Sequence, residues 1–415
     1  MREQIEAAGH QSVPEDAQPD VFVLNSCTVT AESDRKTRQL VRRFRHRYPQ
    51  AVIVLTGCMP QAFPKDAAAL DAADVVLGNA TNARLLPAVE EYLRTGRRVV
   101  EITPHKTGER FSTPPVARFS GRTRAFLKIE DGCNRFCSYC IIPMARGRVR
   151  SKPVDEIREE VARLAAAGHR EVVLVGINLS AYGGDVGVTL ADAVDAAAQP
   201  EGIARVRLGS LEPDQFTDAL LARLGAQEKF CPQFHLSLQS GCDETLRRMN
   251  RHYDAAFYAD LAARIRAAFP DAALTTDVMV GFAGETEDEF GQSLDFMRRI
   301  GFARAHVFAY SRRAGTAAYD MPNQLTAAVK EERSRRMIAC ADSCRDQFLR
   351  AQLGRTFPVL FETCSGGFLS GYTPNYTHVR VHSEDETLCG EIRPVRLIEV
   401  DGDVCRGELT ADSVK

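Results

Sequence analysis

Gly132-Cys133-Asn134-Arg135-Phe136-Cys137-Ser138-Tyr139-Cys140 puts three thiols on one loop at C-x3-C-x2-C. The apolar run Ala125-Phe126-Leu127-Lys128-Ile129 just before it reads as a strand that delivers the chain to the loop. Soft thiolates bind iron–sulfur clusters and zinc. A closed cluster takes four cysteines, and a structural zinc takes four ligands. Here three are local and no fourth lies nearby. Three ligands on a four-iron cluster leave one iron open to an exogenous ligand. The competing readings are a zinc knuckle with a distant fourth ligand and an incidental trio. The uneven x3/x2 spacing and the lack of a second C-x-x-C pair weigh against both.

The loop resembles the radical S-adenosylmethionine (SAM) motif, in which the open iron chelates SAM. The stretch from Thr123 through Gly132-Cys133, continuing through Cys140-Ile141-Ile142-Pro143 to Arg146-Gly147-Arg148, is similar to the methylthiotransferases. It most resembles the branch that modifies N6-threonylcarbamoyladenosine in tRNA. Val175-Gly176-Ile177-Asn178-Leu179, Phe230-Cys231-Pro232 and the run His235 to Leu246 agree with that branch, and the resemblance covers essentially the whole chain.

At 415 residues the chain has room for two or three domains. Its 44% hydrophobic and 26% charged content is that of a globular protein. The net charge of −2 gives no overall basic field, so any nucleic-acid contact rests on local patches. The start, Met1-Arg2-Glu3-Gln4-Ile5-Glu6, is charged and lacks an apolar signal core, and no apolar run reaches membrane-spanning length. The expectation is a cytoplasmic protein without a membrane partner. There its twelve cysteines, where grouped, serve as metal ligands rather than cross-links.

Residues 1–102 alternate apolar runs with helical stretches. Strands are expected at Asp20–Asn25, Ala51–Leu55, Val75–Gly78 and Arg97–Ile102, with a helix over Ala31–Arg47, giving a parallel α/β sheet. Cys27 and Cys58 each follow a strand's carboxyl end, the edge where parallel sheets place ligands. The resemblance implies more. Methylthiotransferases hold a second [4Fe–4S] cluster here with three cysteines, and Asn25-Ser26-Cys27 and Thr56-Gly57-Cys58 match the second and third. The first lies on an opening strand absent here, so the expected auxiliary cluster lacks one ligand. Seven cations between Arg35 and Arg47 form a basic helix that reads as a phosphate contact or as a solvated face. Residues 103–122, with Pro104, Gly108, Pro114, Pro115 and Gly121, read as a linker.

From 123 to 353 six strands alternate with helices: Ala125–Ile129, Glu171–Val175, Arg205–Leu208, Phe234–Leu238, Leu274–Val280 and Arg304–Ala309. This predicts a parallel sheet curled into a partial (β/α)6 barrel, the radical SAM core of the resemblance, with its chemistry at the carboxyl ends. Gly176, Asn178, Ser237, Gln239 and Asp277 lie at or near those ends and are the expected SAM contacts by position and family pattern. Gly281-Phe282-Ala283-Gly284-Glu285-Thr286 resembles the family's Gly-Phe-Pro-Gly-Glu-Thr turn, with Thr286 placed to cap the next helix. Arg146, Arg148, Arg150 and Lys152 are placed to meet the SAM carboxylate or an RNA phosphate. Cys340 and Cys344, four apart on a long helix over Thr326–Ala351, read as packing.

From 354 to 415 short β runs at Phe357–Glu362, Thr377–His382, Val395–Val400 and Val404–Leu409 predict a small all-β barrel resembling the RNA-contacting TRAM domain. Six Lys/Arg against ten Asp/Glu make it acidic, so one face such as Arg380, Arg393 and Arg396 has to meet phosphate. Cys364, Cys389 and Cys405 are expected in its core.

The resemblance implies an enzyme. A [4Fe–4S] cluster on Cys133, Cys137 and Cys140 cleaves SAM, and a methylthio group is added to C2 of a modified adenosine in tRNA. Electrons come from a reducing protein such as flavodoxin or ferredoxin. The same chemistry on a ribosomal-protein aspartate is the alternative. A non-catalytic Fe–S or RNA-binding remnant, suggested by the missing first strand, is a third reading.

Overall fold

In the N-terminal sheet, Ile53 and Leu55 pack on one side with Val41, Met59, Ala67 and Val76, while Val52 and Val54 pack on the other with Val75, Leu77, Leu85, Ala88 and Val99. Alternate residues of a strand face opposite sides, so a strand apolar at every position has to be covered on both. The computed structural model describes residues 1–113 and 123–410. Its strands β1 (Val21–Ser26), β2 (Val52–Gly57), β3 (Val75–Leu77) and β4 (Val99–Glu101) lie in chain order, all parallel. The helix Ala31–Arg47 starts on Thr30, whose hydroxyl accepts from Ser33 N at 3.1 Å.

The chain forms two compact units that do not follow chain order. One holds the N-terminal sheet together with Asp131–Arg150 and Ser311–Asp320; the other holds the remaining core and the C-terminal residues. The linker reading of 103–122 falls partly outside the described residues.

In the second unit, β5 (Arg124–Lys128), β6 (Glu171–Val175) and β7 (Arg205–Leu208) form one parallel run. A second consists of β8 (Ser210–Leu211), β9 (Gln233–Leu236), β10 (Ala273–Val280) and β11 (Arg304–Ala309). The third expected strand, Arg205–Leu208, is β7 itself, and the short β8 follows beyond Gly209, whose N–H donates to Leu174 O at 2.8 Å. β7 pairs back to β6 and β8 forward to β9. β9 stops at Leu236 rather than the expected Leu238, and the chain turns through Gln239 at φ +64°. Cys340 and Cys344 are buried in this unit's apolar core, on the helix Ala327–Arg350, as packing requires.

The C-terminal strands β12 (Thr356–Ser365), β13 (Phe368–Tyr372), β14 (His378–His382), β15 (Ile392–Asp401) and β16 (Val404–Leu409) close into a barrel in the order β12-β13-β14-β16-β15. The sequence reading missed β13. Gly366-Gly367 and Gly371 hide its pattern, yet a Cβ at Gly371 would stand 2.2 Å from Leu360 O, so close strand pairing demands glycine there. Cys405 lies in the barrel core and Cys364 packs against it. Cys389 is a correction: it is exposed, following the 3-10 turn Glu386–Leu388.

Buried charges fasten this barrel to the parallel core. Glu171 accepts from Arg207 Nε at 2.9 Å and lies 3.5 Å from Arg205. These two guanidiniums then donate to the carbonyls of Tyr372 and Pro374 at 2.9 and 2.8 Å. Arg124 pairs with Glu362. The three guanidiniums hold the Glu171 carboxyl below its usual range against the opposing effect of burial, while burial pushes the Cys231 thiol beside them up to about 11. No described helix is long and apolar enough to cross a membrane.

Candidate active site

The C-x3-C-x2-C loop is shaped by two residues of unusual backbone. Gly132 has φ +90°, and a Cβ there would sit 2.0 Å from Arg148 O, so only glycine lets the two segments approach. Phe136, directly before Cys137, takes the left-handed conformation at φ 51°. Such a conformation in a bulky residue persists only where its surroundings impose it. Cys133 N donates to Gly147 O at 3.0 Å, and Cys140 N to Cys137 O at 2.9 Å. Arg135 N points at Cys133 Sγ at 3.5 Å, and Ala318 N holds Ser138 O at 2.7 Å. All three thiols are half-buried. Among the described residues no three His, Cys, Asp or Glu side chains are gathered to grip one metal ion as they stand.

Cys27 and Cys58 are brought together by strand register. β1 and β2 pair in parallel with Ser26 opposite Gly57, so each cysteine is the next residue past the same rung. A Cβ at Gly57, which has φ +101°, would stand 2.5 Å from Ser26 O, and this close approach keeps the rung tight. Cys27 is exposed, whereas Cys58 opens the short helix Cys58–Ala62 and is buried. The Cys58 sulfur receives Arg146 Nε at 3.2 Å and Asn79 Nδ2 at 3.5 Å; the same Asn79 amide donates to Ala145 O at 2.7 Å. Burial pulls the Arg146 guanidinium down, but Cys58, Asp131 and Cys27 together hold it above its ordinary value. Behind Cys27, the buried Arg313 bridges Thr28 and Asp34.

The basic group after the cluster loop already has partners within the chain. Arg146 is on a thiol, Arg148 lies over the Phe136 ring at 4.7 Å, and Arg150 is 3.2 Å from Asp131 and 3.4 Å from Glu109. Lys152 is paired with Glu160 in the interior of the other unit. The basic helix is also less free than its sequence. Arg35, Arg43, Arg45 and Arg47 each carry an acidic partner, and Lys36 lies 3.9 Å from Glu32.

At the carboxyl edge of the parallel core, Gly176 follows β6. A Cβ there would meet Glu130 Oε2 at 2.6 Å. That oxygen accepts Asn178 N–H at 2.7 Å. Asn178 is 4% exposed, yet neither its Nδ2 nor its Oδ1 has a partner. Gln239 is likewise buried with Oε1 unpartnered, while its backbone bonds Asp277 O and Met279 N, each at 2.8 Å. Buried polar atoms are as a rule paired, so the two orphan amides leave this edge able to receive a polar molecule or water. Ser237 N donates to Leu211 O at 3.0 Å, and Ser237 O accepts from Tyr253 and Arg251. The half-exposed Asp277 carboxylate lies 3.3 Å from His235 Nε2. Gly281 N donates to Glu285 Oε2 at 2.8 Å, and that carboxylate also takes Arg333 at 2.6 Å. The sequence reading missed Glu130, Asn79 and the thiol contact of Arg146. The first carried a signal, an acidic residue closing the strand just ahead of Gly132-Cys133. The other two are contacts across 21 and 88 residues that no local pattern announces.

Comparison with known proteins follows this geometry. The Radical SAM superfamily matches residues 127–297, and Uncharacterized protein family UPF0004 matches residues 1–78. Threonylcarbamoyladenosine tRNA methylthiotransferase MtaB of Bacillus subtilis is 35% identical, covering 94% of this chain and 88% of that protein. The tRNA-2-methylthio-N(6)-dimethylallyladenosine synthase of Pelotomaculum thermopropionicum is 34% identical, covering 94% of this chain and 89% of that protein. Among solved structures, the radical SAM methyltransferase TsrM from Kitasatospora setae superposes with a TM-score of 0.52 at 16% identity, covering 72% of this chain and 66% of that one, which shows the fold alone. Near-complete coverage by a methylthiotransferase, on a chain whose three-thiol loop follows the first strand of a partial parallel barrel, establishes the family: this protein belongs to the MtaB-like radical SAM methylthiotransferases, enzymes built on a [4Fe–4S] cluster and S-adenosylmethionine.

Proposed function

We propose that this enzyme adds a methylthio group to C2 of N6-threonylcarbamoyladenosine in tRNA, beside the anticodon. The observation that carries the reading is the three-thiol loop, alongside the orphan amides of Asn178 and Gln239 within the parallel core. Cys133, Cys137 and Cys140 would hold the cluster, which when bound would supply the reducing electron for SAM cleavage. Asn178 and Gln239 offer amide donors and acceptors to the amino and carboxylate ends of SAM. Gly176 lies two residues before Asn178, with Ser237 just past the end of β9 and Asp277 within β10.

Cys27 and Cys58 would supply two of the three cysteines of a second [4Fe–4S] cluster, the third being the expected missing ligand, with Arg146 and Asn79 donating to the Cys58 sulfur. Such outer donors orient ligands and tune the group they hold. The chain works in the cytoplasm, where tRNA and a reductant such as flavodoxin or ferredoxin are at hand. A second reading, methylthiolation of N6-dimethylallyladenosine, is favoured by the nearly equal identity to synthases of that name.

Anaerobically reconstituted enzyme incubated with SAM, reductant and tRNA carrying either adenosine derivative separates the two. Nucleoside mass spectrometry should find the methylthio mass on the threonylcarbamoyl nucleoside, and none with a Cys137→Ala variant. A methylthio mass only on the dimethylallyl nucleoside favours the second reading; none on either sinks both.

A further inference from the structure

A cavity of about 260 Å³ opens in the second unit, at the amino-terminal edge of β10 and β11 and therefore at the strand ends opposite the chemistry. Its walls include Thr275, Arg304, Arg345, Tyr372, Tyr376 and His378. Three of these form a pile of flat rings. Tyr372 is stacked with Tyr376 at 4.6 Å and with His378 at 4.9 Å, each pair within 17° of parallel. Arg124 lies over Tyr372 and Tyr376 at 4.8 and 4.9 Å, whereas among the described residues no second ring or cation lies over His378, so His378 ends the pile. Arg207 lies over Tyr376 at 4.7 Å and closes the other end. Tyr376 pays for its place with φ +69°, a conformation its surroundings have to impose.

The charges around the pile are uneven. Arg304 is exposed and makes no ion pair among the described residues. It lies close enough to act on both Tyr372 and His378. Arg345 gives one nitrogen to Asp342 at 2.9 Å, while its buried Nε has no partner. Asp403 is the one acidic residue on the wall, and Arg380 also reaches His378. An aromatic end-face flanked by unspent guanidiniums is what a base with its phosphate requires. Neither the cluster nor the cosubstrate uses any of these groups.

We propose that this cavity is a nucleotide subsite, in which a base extends the stack at His378 while its phosphate takes Arg304 and Arg345. The base comes from an unpaired nucleotide of the RNA substrate or from a free nucleotide. Only the first source rests on the tRNA reading above.

The test is calorimetric titration of the full chain with AMP, with inorganic phosphate, and with a single-stranded RNA heptamer. AMP should bind at least about tenfold tighter than phosphate, because stacking is the larger share. His378→Ala should lose about tenfold in AMP affinity while His378→Phe, which keeps a flat ring, retains it. Arg304→Gln, on an exposed side chain with no fold to break, should weaken AMP and reduce the salt slope by about one. An RNA heptamer that displaces AMP identifies the substrate as the source; AMP that stays bound identifies a free nucleotide. If phosphate binds as tightly as AMP, or if His378→Ala and Arg304→Gln bind AMP as the parent does, the stack is mere mortar between the barrels and the proposal is wrong. Both results are independent of whether any nucleoside becomes methylthiolated.

Discussion

Asn178 shows how a single residue separates folding from function. Its side-chain amide is buried with both polar atoms unpartnered, while its backbone N–H already satisfies Glu130. Replacing it by alanine removes no hydrogen bond from the empty protein, so stability should not fall. SAM affinity should drop about tenfold, the worth of one or two neutral hydrogen bonds. Equilibrium dialysis with SAM, paired with a thermal melt, checks both; a lower melting point with unchanged SAM binding would make Asn178 a structural residue. The sequence pointed to this position through the Gly176-Ile177-Asn178 run after a strand. It did not point to Arg146 as a thiol partner, because the contact with Cys58 forms only when two distant segments meet.

Elements were legible wherever the signal is local. The turn at Gly281–Thr286 ends in a capping box: Thr286 Oγ1 accepts Glu289 N at 3.2 Å, and the Glu289 carboxylate accepts Thr286 N at 2.9 Å. Both residues stand three apart in the sequence, so the cap could be read there. Thr286→Ala should cost about 1 kcal/mol of stability. A urea titration should show the shifted midpoint, with the methylthiolation rate at saturating SAM unchanged. β13 was illegible for the opposite reason. Its glycines answer to a neighbouring strand, where Gly371 passes Leu360, and not to any pattern of their own. The two-residue β8 was too short to carry a pattern of its own.

At the scale of the molecule, Glu171 decides whether the two barrels of the second unit stay joined. It is fully buried between Arg205 and Arg207, which carry the hydrogen bonds to the C-terminal barrel. Arg207, at 2.9 Å, is held above its ordinary value despite burial; Arg205, at 3.5 Å, is held down by burial. Removing the carboxylate strands two buried cations, so Glu171→Gln should lose about 3–5 kcal/mol. Because folding depresses this carboxyl, its contribution is fully present above the ordinary value of 4.5 and is lost as pH falls through the lower folded value. The melting temperature of the parent should therefore fall more steeply in acid than that of Glu171→Gln; parallel acid limbs would refute the role. The chain's own residue order determined the parallel sheets, the C-terminal barrel, the three-thiol loop and the caps, because periodicity, spacing and turn chemistry act over a few neighbours. Folding alone decided that the cysteine loop packs in one unit with the N-terminal sheet, that Arg146 spends its charge on a thiol, and that most of the basic helix is already paired. Those outcomes depend on which distant groups come within hydrogen-bond or ion-pair reach, and a linear pattern carries no distances between segments.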